Sequence, residues 1–152
     1  MSADTFHLAN GKPKTVIVTG GAGGIGAQTI REFHSKGCNV AIADLPHAES
    51  AGNDLISSLS APERAMFHPT DITNWENMRS LFKKTKEKFG QIDIVVANAG
   101  IMESQDFFDF EEDEGGELKE SVYPSRVIDI NLKGTMNSAP HSVLSLLLKN
   151  PN

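Results

Sequence analysis

Cysteine occurs once in the 152 residues, as Cys38. A lone thiol excludes an internal disulfide and fits a reducing compartment, so the location expected from it is cytoplasmic. No apolar run approaches the roughly 20 residues needed to cross a bilayer. The opening MSADTFHLANGKPK also lacks the apolar centre of a secretory signal or anchor. Positive charge is scarce: 14 Lys and Arg stand against 20 Asp and Glu, a net −6 that argues against a nucleic-acid partner. His7, His34, His47, His68 and His141 are scattered without ligand spacing, so no metal site is expected. The chain has no G-x-S-x-G nucleophile elbow.

Composition places what remains among globular proteins: 39% hydrophobic residues with 13 glycines and 7 prolines. The length suits one domain, with residues 1–13 as a flexible lead-in ending at Gly11-Lys12-Pro13 and the domain over 14–152. Acidity is concentrated. Residues 101–122 hold nine acids and one lysine, net −8, which leaves +2 for the rest. Within 102–122, Phe107, Phe108 and Phe110 lie among acids, as in a surface loop that docks its rings and solvates its charges. The D-x-D-x-D-G spacing of a calcium loop is absent there.

The chain is organised around Lys14–Gly26, KTVIVTGGAGGIG. Val16-Ile17-Val18 reads as a buried parallel strand. Five glycines follow within seven residues, and then a helix expected from Ala27 to Ser35, with Ile25, Ile30 and Phe33 on one side. Strand, glycine turn and helix start bring free N–H groups close to a phosphate. Ala27-Gln28 after Gly26 exclude the Lys-Ser/Thr of a phosphate-binding NTPase loop. The spacing Thr19-Gly20-x-x-x-Gly24-Ile25-Gly26 resembles the short-chain dehydrogenase/reductase family.

A second strand over Asn39–Ala43 ends at Asp44, eighteen residues beyond Gly26. An acid here accepts hydrogen bonds from adenosine ribose hydroxyls and repels a 2′-phosphate. With no Lys or Arg in the glycine turn, the cofactor expected is NAD; an aspartate that merely caps a turn is the alternative. A modest helix should turn Leu55, Ile56 and Leu59 inward, and Ala65–His68 should form a third strand. Thr73-x-x-Glu76 reads as a capping box opening a helix through Trp75, Met78, Leu81, Phe82 and Phe89. Ile92–Val96 should be the fourth strand. Pro124 suits the first turn of a long helix that Pro140 should kink.

The family resemblance extends across nearly the whole chain. It implies that Asp71, before Ile72 and Thr73, holds the adenine amine, unless Asp71 only supports its turn. Ala97-Asn98-Ala99-Gly100 resembles the family's NNAG motif with the first Asn replaced. It implies that Asn98 ties the central strands and that Ala99-Gly100 let the nicotinamide ribose approach. Asn131-Leu132-x-Gly134 resembles the helix whose Asn supports the catalytic proton relay. The implied fold is α/β, a partial Rossmann-type doubly wound parallel sheet in three α/β/α layers, strand order 3-2-1-4. The family's catalytic Ser and Tyr-x-x-x-Lys are not found: Tyr123 is the sole tyrosine, and Val127 stands four residues on. The expected protein is therefore the cofactor-binding half of an NAD-dependent alcohol or ketone oxidoreductase, inactive alone and inclined to self-associate. A non-catalytic NAD-binding or sensing module is the alternative. A methyltransferase is disfavoured by the TGxxxGIG spacing.

Overall fold

The computed structural model describes residues 11–102, 112, 114–119 and 122–139. Strands β1 (Thr15–Thr19), β2 (Asn39–Asp44), β3 (Ala65–Pro69) and β4 (Ile94–Val96) form one sheet in the order β3-β2-β1-β4. Every pairing is parallel, with Val16 set against Val40 on one side and Ile94 on the other. Parallel neighbours require crossovers, supplied by α1 (Gly24–Ser35), α2 (Glu49–Ser57) and α3 (Trp75–Phe89). The chain steps outward from β1 to β3 and then returns to the far side of β1, a Rossmann-type topology. Its switch point lies between β1 and β4.

Both faces of the sheet are covered, which is why β1 is buried at all five positions instead of alternating. Val16, Val18, Val40 and Ile42 pack on one face against Ala27, Ile30, Leu55 and Leu59. Ile17, Ala41 and Ala43 pack on the other against Met78, Leu81 and Phe82. A fourth helix, α4 (Val122–Ile128), continues as a π-helical turn, Asp129–Gly134, from which Ile130 joins this second core. Burying each such Val, Leu or Ile contributes ~1.5–3 kcal/mol, so the strand order is held from both sides.

Several boundaries and side-chain placements differ from the sequence expectation. Helix α1 begins at Gly24 rather than Ala27, and Ile25 is 80% exposed rather than sharing the inner face with Ile30. Five residues separate the two, which places them about 140° apart around the helix. The Thr73–Glu76 capping box does not form. Asn74 is the N-cap, its side chain accepting from Asn77 N at 3.1 Å. Thr73 instead gives both its N–H and its hydroxyl to Asp71 Oδ1, at 2.8 and 2.7 Å, while Glu76 pairs with Arg79. The fourth strand starts at Ile94 rather than Ile92, because the Asp93 carboxylate takes the Thr15 N–H at 2.7 Å. Ile92 stays buried outside the ladder. No helix among the described residues is long and apolar enough to cross a membrane. The expected docking of Phe107, Phe108 and Phe110 and the kink at Pro140 lie outside the described residues.

Candidate functional site

Parallel strands point their carboxyl ends the same way, so the residues just after them meet at the switch point. A cleft of about 530 Å³ lies there. Its wall includes Gly20, Gly24, Ile25 and Gly26 after β1, Asp44 at the end of β2, and Asp71 and Ile72 after β3. Asn98, Ala99 and Gly100 after β4 complete that side. All ten residues singled out in the sequence for cofactor contact therefore border one cleft.

Thr19 and Asn98 fix the floor. The buried Thr19 hydroxyl accepts from the N–H groups of Asn98 and Ala99, each at 3.1 Å. Asn98 Nδ2 in turn donates to the carbonyls of Thr19 and Gly20, at 3.0 and 3.2 Å. The glycine turn and the β4 end are thereby tied as one unit, with Ala97 taking no part in the tie. Two glycines serve different needs. A Cβ on Gly26 would collide with the Gly20 carbonyl, so this residue lets α1 close against the turn. Gly24 has φ +51 and its Cβ would meet nothing within 4 Å, so its backbone faces open cleft. The first turn of α1 leaves N–H groups without helical acceptors on the same side.

Asp44 braces the turn as well as bordering the cleft. Its Oδ2 accepts from Ala22 N at 2.9 Å and its Oδ1 from Leu45 N at 2.8 Å. Each oxygen keeps further acceptor capacity. Asp71 likewise stabilises its own loop through Thr73, and its N–H reaches Asn77 Oδ1 at 3.1 Å. The structural readings of both acids thus hold alongside their place on the cleft wall.

Asn131 does not border the cleft. It clamps the adjacent backbone, accepting from Ile101 N and donating to Ile101 O, both at 2.8 Å. The π-helical turn carrying it is held by Asn137 Nδ2 donating to Ile72 O at 2.9 Å. Gly134 makes room there for the Ile72 side chain.

The cleft also includes Gly23, Leu45, Thr70, Ile101, Arg126 and Ile130, none of which the sequence marked. Arg126 and Ile130 lie one helical turn apart, a weak periodic signal. Thr70 is buried and gives its hydroxyl to the His68 carbonyl, so its oxygen accepts from His68 Nδ1 at 2.9 Å. His68 Nε2 then accepts from Ser80 Oγ at 3.1 Å. Burial, with nearby Lys84, holds the His68 ring below its ordinary value, against an opposing backbone contact at Pro69. That shift favours the uncharged imidazole. Burial raises the Cys38 thiol and keeps it protonated within the core. Among the described residues no group of three His, Cys, Asp or Glu could hold a metal ion.

The family profile for short chain dehydrogenases matches residues 14–151. A short-chain dehydrogenase/reductase of Penicillium roqueforti is 37% identical over 123 residues, covering 81% of this chain and 33% of its own. The 3-hydroxyacyl-CoA dehydrogenase type-2 of Drosophila melanogaster is 34% identical over 80% of this chain and 45% of its own. A crystal structure described as a short-chain dehydrogenase/reductase, glucose/ribitol dehydrogenase, from Brucella melitensis superposes with TM-score 0.76 at 26% identity. It covers 88% of this chain and 52% of that one. The chain thus spans between a third and about half of the length of these relatives. On the profile, the relatives and the parallel sheet together, the chain belongs to the short-chain dehydrogenase/reductase family of oxidoreductases.

Proposed function

We propose that this chain is the dinucleotide-binding portion of an NAD-dependent oxidoreductase acting on an alcohol or ketone. The observation that carries the reading is the convergence of Gly24, Asp44, Asp71 and Asn98 on one cleft. The residues fit the group. Gly24 leaves open space where a phosphate needs close backbone approach, and α1 directs its first N–H groups there. Asp44, already braced by Ala22 N, is positioned to accept from the adenosine ribose hydroxyls and to repel a 2′-phosphate. Asp71 would take the adenine amine, and Ala99-Gly100 would border the nicotinamide ribose. Bound NAD supplies hydride transfer at its nicotinamide ring. Asn131, through its clamp on Ile101, would support the proton relay of a complete enzyme.

This sequence holds no Tyr-x-x-x-Lys, so the 152-residue chain alone has no positioned acid/base and is expected to show no turnover. The same lack supports the second reading, a non-catalytic NAD-binding or sensing module. Calorimetric titration of the purified chain tests the cofactor assignment. NADH should bind more tightly than NADPH, and Asp44→Ala should erase that preference. Tighter binding of NADPH by the unaltered chain would overturn it.

A further inference from the structure

We propose that the guanidinium of Arg126 receives the diphosphate of the dinucleotide in this cleft, an inference that rests on the cofactor reading above. Asp44, Asp71 and Arg126 are the formally charged residues among those lining the cleft. Without Arg126, two carboxylates would face a ligand that itself carries a doubly charged diphosphate. The glycine turn offsets this with N–H dipoles but no full charge. Both acids are engaged with nearby donors, Asp44 with Ala22 and Leu45 and Asp71 with Thr73, so neither is drawn away from the cleft.

The placement of Arg126 is set by its helix. Ile130, four residues on and therefore on the same helical face, is partly buried and packs against the core cluster that includes Met78 and Leu81. The Asn131–Ile101 and Asn137–Ile72 bonds prevent that segment from turning. Arg126 itself is exposed, and no hydrogen bond or ion pair engages it among the described residues. A guanidinium so placed has its forked donors available for phosphate oxygens.

The test is titration of the full chain with NADH, NADPH, ADP-ribose and adenosine at two salt concentrations. Arg126→Gln should weaken NADH, NADPH and ADP-ribose alike, by roughly ten-fold at low salt, and leave adenosine unchanged. Arg126→Lys should recover part of the loss. Arg79→Gln, which removes the same charge from the exposed Arg79 of α3, should bind like the unaltered chain. Equal binding of NADH by Arg126→Gln and the unaltered chain would overturn the proposal. So would a loss confined to NADPH, which would assign Arg126 to the 2′-phosphate, or a loss shared by adenosine, which would make the contact one of stacking. Failure of the unaltered chain to bind NADH would instead sink the cofactor reading.

Discussion

Single residues at the cleft divide into those that build it and those that face a ligand, and the glycines show the difference. Gly26 is needed for packing: a methyl group there meets the Gly20 carbonyl, which is backbone and cannot swing aside. Gly24 is needed for its φ of +51 and for the open space beside it. Gly26→Ala should therefore destabilise the fold by about 1–3 kcal/mol, the usual cost of overpacking. Gly24→Ala should cost ~1–2 kcal/mol for its left-handed backbone and weaken NADH binding further by intruding on the cleft. Urea denaturation beside calorimetry separates the two effects. Equal stability of Gly26→Ala and the unaltered chain would show that the turn relaxes more freely than its contacts imply. Asn98 belongs with the builders, because its amide holds two carbonyls of the turn, those of Thr19 and Gly20.

At the scale of elements, α3 illustrates how one start signal displaces another. Thr73 and Glu76 have the spacing of a capping box, yet Asp71 lies two residues before Thr73 and takes both of its donors. Asn74 is left to cap the helix, and Glu76 turns outward to Arg79. Removing the true cap by Asn74→Ala should cost about 1 kcal/mol. Glu76→Ala should cost only a few tenths, since its partner is an exposed ion pair. Denaturant midpoints decide this, and a larger loss from Glu76→Ala would restore the capping box. The helix end was legible, because Gly90 follows the last apolar residue and adopts φ +83. The π-helical turn at Asp129–Gly134 was not. Asn131 within it ties to Ile101 and Asn137 just after it to Ile72, contacts that only the assembled fold provides.

Viewed as a whole molecule, the sheet has β4 as one edge strand, and α4 with its continuation carries apolar residues that the core does not use. Ile128, Leu132 and Met136 are 57%, 58% and 62% exposed, at a spacing of four residues along one stripe. We propose that copies of the chain associate through this stripe. Sedimentation velocity on the purified chain should find a species larger than a monomer, and Leu132→Lys should shift it toward monomer. A monomer at high protein concentration would remove the stripe from consideration as a contact between copies.

The sequence by itself determined the order of strands and helices, the glycine turn and the ten cleft residues named from it. The first, second and fourth strands, the helices and the glycine turn follow from local causes: β-branched runs, helical spacing of apolar residues and glycines at strand ends. Asp71, Ile72, Asn98, Ala99 and Gly100 and the strand order, by contrast, are named through the family resemblance. In a parallel sheet every strand end falls on the same side, so locating those ends also locates the cleft. Only the tertiary structure decided that Arg126 and Ile130 join Asp44 and Asp71 and that Ile25 stands exposed. Each depends on the rotation of a helix against a partner distant in sequence. That rotation is set by which side chains fill the shared core, and no local pattern records it.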